Sequence, residues 1–192
     1  WERERRVPQD PEWRERRGAQ ARELYAELVG LLLDHPRELG AADRARRAFD
    51  QVQRFKARTL RERMLDPGRV LDAEAARHEP PVTLERVQRE TLAEGELLLD
   101  VFCGQDTSYL FAVTRSECLV AGLPGARVLG AKVGLYRSLL ATPPGGAAPA
   151  PSPMAVAAAG RELGTVLLGG VADRLPRCRR VILVPDGPLC LL

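Results

Sequence analysis

Imidazole is nearly absent from this chain, whose 192 residues include only the histidines His35 and His78. His35 falls at a predicted helix end and His78 in a loop before Pro80. Neither lies at the carboxyl end of a predicted strand, so a nucleophile here has no placed base. Cysteine is sparse as well. Cys103, Cys118, Cys178 and Cys190 are widely spaced, with no C-x-x-C pair and no neighbouring histidine, which excludes the usual zinc spacings and points to free thiols in a reducing cytosol. No metal and no cofactor is expected. No G-x-S-x-G elbow, H-E-x-x-H helix, G-x-G-x-x-G loop or P-loop lysine occurs. Acidic pairs fall on helix faces, where solvation accounts for them. The chain therefore offers no catalytic residue of its own.

Charge of one sign is lacking too. The 29 basic and 26 acidic residues leave +3, too small a field to hold nucleic acid or an anionic membrane. RERR occurs at Arg3 to Arg6 and again at Arg14 to Arg17, but interleaved acids make both a solvated helix face. No apolar run of 18 residues and no signal-peptide pattern stands out, so neither nucleic acid nor membrane is expected as a partner and a cytoplasmic location is. Nearly every base is arginine, with only Lys56 and Lys132 as lysines, which fits GC-rich bacterial coding. The first residue is Trp1 rather than Met, and Leu192 falls inside an apolar run. The chain reads as an internal fragment.

What is present suffices for a core, at 45% hydrophobic residues. Between Trp13 and Asp34, Ala21, Leu24, Tyr25, Leu28, Leu31 and Leu32 recur at three and four, predicting a helix with that face inward. A second helix runs from about Ala41 to Leu65, with Ala45, Ala48, Phe49, Val52, Phe55, Thr59, Leu60 and Met64 on one stripe, and Asp66-Pro67-Gly68 stops it. The pair predicts a hairpin in which each helix hides the other's stripe, of the kind that stacks in helical arrays. Val70 to His78 predicts a further short helix. Thr83 is placed to cap another, TLERVQRETL, which ends at Gly95.

Beyond Gly95 the period becomes that of strands. Leu97, Leu99, Val101 and Cys103 share one face of ELLLDVFC, Tyr109, Phe111 and Val113 alternate through TSYLFAVT, and ECLVAGL follows, which predicts an antiparallel meander. Cys103 and Cys118 lie inside it as small apolar packing groups. Gly125 to Ala141 predicts a helix with Leu129, Val133, Tyr136 and Leu140 inward. Thr142 to Pro153 is a linker or surface loop, and Met154 to Leu175 a last helix in which Gly169-Gly170 marks close packing or a kink. Val181 to Pro185 has no alternation and predicts a central parallel strand buried on both faces. Asp186-Gly187-Pro188 breaks it at its carboxyl end, the edge where open α/β sheets collect substrate groups. Asp186 is accordingly the one candidate substrate-binding residue; the competing role is that its carboxylate caps its own turn near Leu189. The expectation is an α/β chain with an incomplete sheet: a helical hairpin over residues 1–72, the tail of a helical array, and an α/β unit over 73–192.

Three segments in this order resemble the start of a CHAT domain, the caspase-like module found downstream of tetratricopeptide repeats. Ala48-Phe49-Asp50 to Arg58-Thr59-Leu60-Arg61-Glu62-Arg63-Met64-Leu65 resembles the helix leading into that domain. Gly95 to Phe102 with Tyr109 to Arg115 resembles its opening hairpin, and Val184-Pro185-Asp186-Gly187-Pro188-Leu189 with Leu191-Leu192 its most recognisable early motif. Cys190 stands where the family often has a non-catalytic His. The resemblance implies a caspase-like sheet, a hairpin of tetratricopeptide-repeat type and a cysteine peptidase of caspase and separase type. It implies a protein or peptide substrate, and a regulatory protein bound through upstream helical repeats. The family's catalytic residues lie in a His-Gly and a Ser-Ala-Cys motif, neither of which has a counterpart here, so no catalytic residue is carried over. A catalytically inactive scaffold for protein-protein interaction is the alternative.

Overall fold

The computed structural model describes residues 11–34, 39–64, 82–141 and 151–192. Helices α1 (Pro11–Asp34) and α2 (Ala41–Met64) form a hairpin. A short helical segment follows, Leu84–Arg86 running on as Val87–Thr91 in π geometry, capped by Thr83, whose hydroxyl accepts the Arg86 N–H at 3.3 Å. Strands β1 (Glu96–Cys103), β2 (Thr107–Val113) and β3 (Cys118–Pro124) make the meander. Then come α3 (Ala126–Ala141), α4 (Pro153–Leu168), two 3-10 turns, β4 (Arg180–Val184) and a 3-10 turn over Gly187–Leu191. The sheet order is β3-β2-β1-β4, antiparallel throughout except that β4 runs parallel to β1.

Alternation along β1 and β2 divides the core into two. Leu97, Leu99, Val101 and Cys103, with Leu110 and Ala112, meet Leu129, Val133, Leu163, Val171 and Leu189 from α3, α4 and the flanking turns. Phe102, Tyr109, Phe111 and Val113 point the other way and meet Ala21, Val29, Phe49, Val52 and Phe55 of the hairpin. Phe49 stands edge-on to Phe111 at 5.6 Å, and Phe55 likewise to Phe102 at 5.6 Å. The hairpin thus covers one face of the sheet and shares its core. The predicted division between residues 72 and 73 lies outside the described residues, as do the helix at Val70 to His78 and the stop at Asp66-Pro67-Gly68.

Several expectations are corrected. In α1 Ala21 is inward as expected, and Tyr25 and Leu32 pack against the core, but Ala26 and Val29 are buried beside them while Leu24, Leu28 and Leu31 are exposed. Leucines stand on more than one side of the helix, and close approach to the sheet favours small residues where the contact is tightest: a Cβ on Gly30 would sit 2.9 Å from the Tyr109 hydroxyl. Strand β4 is not buried. It is the sheet's open edge, with Val181, Leu183 and Val184 44%, 57% and 38% exposed, because β1 pairs on one side of it and no described strand pairs on the other. Leu140, in the last turn of α3, is exposed rather than inward. Helix α4 stops at Leu168, where Gly169-Gly170 tightens into a 3-10 turn packed so closely that a Cβ on Gly170 would lie 2.8 Å from Ala121. Ser152 and Pro153 belong to α4 rather than to the loop, since the Ser152 hydroxyl accepts the Ala155 N–H at 3.1 Å; residues 142–150 lie outside the described set. Pro153–Val171, 19 residues with a mean hydropathy of 1.3, is long and apolar enough by composition to cross a membrane. In this fold its Leu163 and Val171 enter the core and Glu162 pairs with Lys132 of α3.

Polar anchors hold the hairpin on the sheet. Asp100, buried in β1, accepts from Lys56 Nζ and Gln53 Nε2 of α2, and Lys56 also donates to the Val101 carbonyl at 2.7 Å. The Glu23 carboxylate of α1 accepts the Gln105 N–H at the β1–β2 turn with both oxygens, at 3.1 and 3.0 Å. Removing one partner of a buried pair strands the other charge. Lys56→Ala is expected to cost about 3 kcal/mol. Lys56→Met combined with Asp100→Leu should recover most of that loss. Urea unfolding of the three proteins checks both statements, and equal stability of Lys56→Ala and wild type would refute the anchor.

Candidate functional site

The carboxyl ends of the parallel pair β1 and β4 come together at Cys103 and Asp186. Asp186 is extended (φ −140°, ψ 155°), and the next residue, Gly187, takes φ +56°. Only glycine is at ease there, both for the left-handed φ and because a Cβ would sit 3.1 Å from the Cys103 Cβ. The turn therefore lies directly against the end of β1, and Leu189 is carried into the core under α3.

The Asp186 side chain does not cap its own turn. Its Oδ2 accepts the Cys103 N–H at 2.9 Å and pairs with Arg22 Nη1 from α1. The turn is closed instead by the Asp186 carbonyl, which accepts the Leu189 N–H at 3.2 Å and the Cys103 thiol at 3.3 Å. Arg22 also donates to the Cys103 carbonyl at 3.3 Å, and its guanidinium stacks over Phe55 and Phe102, 5.3 and 5.7 Å from the ring centroids. One guanidinium thereby joins the hairpin, the end of β1 and the turn after β4. Both bonds to the Asp186 carboxylate fall on Oδ2, and among the described residues Oδ1 has no hydrogen-bond partner.

Cys103 at this edge and Cys118 at the far end of the sheet are poor nucleophiles. Burial, then the Asp186 carboxylate, push the Cys103 thiol up to about 11. Burial, then Asp50 and Asp100, push Cys118 up to about 12. Cys178 is half-buried and Cys190 exposed, and all four are free. His35 and His78 lie outside the described residues. No group of three or more His, Cys, Asp or Glu among the described residues could hold a metal ion. The arrangement can present a fixed carboxylate beside backbone at a sheet edge. It contains no activated nucleophile among the described side chains.

Arg22, Glu23, Lys56 and Asp100 were not singled out from sequence. Asp100 left a signal: it falls on the same alternating face as Leu98 and Phe102, where an acid needs a buried partner. Arg22 left none, being 164 residues from Asp186. No protein-family model, curated protein or solved structure matches this chain.

Three outcomes are expected. Asp186→Ala leaves the Cys103 N–H and Arg22 without their acceptor and should cost about 2 kcal/mol, whereas Asp186→Asn keeps an acceptor oxygen and should cost about half as much. Equal losses in urea unfolding would return the residue to an ordinary turn. Because the folded state holds the Cys103 and Cys118 protons above the ordinary 9.0, their contribution is intact below pH 9 and is lost as pH rises toward 11 and 12. Stability measured across that range should fall in wild type and fall less in Cys103→Ala. At pH 8 a thiol reagent should modify Cys190 first and reach Cys103 and Cys118 only on unfolding.

Proposed function

We propose that this chain is the amino-terminal part of a caspase- and separase-like cysteine peptidase of the CHAT type, the part that builds the sheet and aims a turn at the substrate side. The observation that carries the reading is the parallel β1–β4 pair, with Asp186 fixed at its carboxyl edge and the outer edge of β4 open. Ligands of open α/β sheets gather at such carboxyl ends, and an apolar edge of this kind takes up a further strand. In this reading the substrate is a protein or peptide, and Asp186 reaches it through Oδ1. The hairpin is of tetratricopeptide-repeat type and belongs to a helical array that receives a regulatory protein. The catalytic His and Cys are contributed by residues other than these, and no cofactor is needed. The chain by itself is inactive, and the parent protein is cytoplasmic.

A second reading, a catalytically inactive scaffold, draws support from the same open edge, which serves protein association without any chemistry. Peptidase assays separate the two. The chain alone should cleave nothing in a peptide library, while a longer parent protein should cleave and should retain activity in Cys190→Ala. Cleavage by the chain alone that Cys190→Ala abolishes would overturn the assignment of the dyad to other residues. A parent protein that binds partners but cleaves none would leave the scaffold reading standing. In an active parent, Asp186→Asn should lower kcat/KM at least about tenfold beyond the change explained by its altered stability.

A further inference from the structure

Residues 103–105, where β1 ends and turns toward β2, are gripped by two different parts of the fold. The first is α1, through three side chains in little more than one helical turn. Arg22 donates to the Cys103 carbonyl, Glu23 accepts the Gln105 N–H, and Ala26 lies so close that a Cβ on Gly104 would stand 2.8 Å from its own. The second is the turn after β4 with the start of α3. Asp186 accepts the Cys103 N–H and thiol, Gly187 lies against the Cys103 side chain, and the Ala126 N–H donates to the Gly104 carbonyl at 2.8 Å. The turn has few other ties. Strand β4 has a strand partner on one side only among the described residues, and beyond it Gly187–Leu191 is held by Leu189 in the core and by its own 3-10 bonds. The Asp186 side chain is only 16% exposed, and Arg22 is the cation paired with it among the described residues. Without that cation the carboxylate must regain water, and in moving outward it lets go of the Cys103 N–H.

We propose that α1 is the latch of this edge: Asp186 and Gly187–Leu191 hold their place only while Arg22 and Glu23 are seated on residues 103–105. Docking of the first helix and ordering of the edge then form one cooperative unit. The group with two positions is the Asp186 carboxylate, clamped under Arg22 or turned to water. The coupling is reciprocal, so release of the turn loosens α1 by the same factor. This inference stands on the contacts around residues 103–105 and does not rest on the peptidase reading. Where that reading holds, Arg22 is a positioning residue for Asp186.

Amide hydrogen exchange of the full 192-residue chain, followed residue by residue by NMR, tests it. In Arg22→Gln, exchange at Cys103 and Leu189 should quicken about tenfold or more, while Phe111 in β2 and Val133 in α3 change less than about twofold. A second variant acts from a distance. Gly30→Leu pries α1 from Tyr109 about two turns, or about 12 Å, along the helix from Arg22. It should quicken exchange at Leu189 as well, and should add little once Arg22 is already Gln, as two changes on one path do. Unchanged exchange at Leu189 in Arg22→Gln would overturn the proposal. So would a uniform rise that includes Phe111 and Val133, which is loss of global stability, or additive effects of the two substitutions at Leu189. Loss of the whole fold in Gly30→Leu would also count against it, since the turn would then depend on the core rather than on the latch.

Discussion

Strand β1 is buried on both faces, and it carries an acid in its middle. Asp100 cannot be desolvated among Phe102, Phe111 and the hairpin's aromatics unless a cation arrives with the helix that buries it, and Lys56 of α2 is that cation. The face of the sheet and the position of the hairpin are therefore settled by one interaction. A hairpin slid along the sheet by one turn would keep much of the apolar contact and strand two charges. The pair acts on register more than on total stability, which for buried ion pairs is often close to neutral against an apolar replacement.

The same logic explains which parts of the fold were legible. The meander was readable because period-two alternation and the turns at Gly104 to Asp106 and Arg115-Ser116 agree, and each strand's two faces meet different helices. The inward face of α1 was not. ELYAELVGLLLD offers leucines on more than one side, and periodicity cannot say that the sheet will take Ala26 and Val29 with Tyr25 and Leu32 and leave Leu24, Leu28 and Leu31 out; the close fit of Gly30 over Tyr109 sets that rotation. For β4, the strand and its parallel direction follow from the apolar run and the chain order, but its place at the edge beside β1 does not. Burial does not, because composition reports what a strand can tolerate rather than whether neighbours flank it. At Asp186 the sequence offers a turn cap or a pocket group. The observed partner, Arg22, belongs to neither alternative and comes from the far end of the sequence.

Arg22 changes what Asp186 can do. A carboxylate held by a guanidinium and a backbone N–H through the same oxygen is fixed in orientation before any ligand arrives, so a ligand meeting Oδ1 would not have to immobilise it. The clamp also couples distant parts: Arg22 stands on the same helix as the exposed Leu24 and Leu28, two and six residues before them. Any partner that shifts α1 acts on the guanidinium, and through it on the turn at Asp186 and the end of β1.

The two surfaces that no described element covers, the outer face of α1 and the edge of β4, differ in what would satisfy them. The α1 face needs only apolar cover over Leu24, Leu28 and Leu31, which a helix supplies without forming a backbone hydrogen bond. The β4 edge needs a strand. The Arg180 N–H reaches toward the Gly95 carbonyl at 3.4 Å, which by strand alternation directs the backbone groups of Arg180, Ile182 and Val184 toward β1 and those of Val181 and Leu183 outward. The outward set is short, ended on one side by Pro185, which has no N–H, and on the other by Arg179, whose N–H is taken by Gly95 at 2.8 Å. A ladder of that length fixes register but contributes little area, so whatever completes this edge must draw most of its binding from side-chain packing against Val181, Leu183 and Val184.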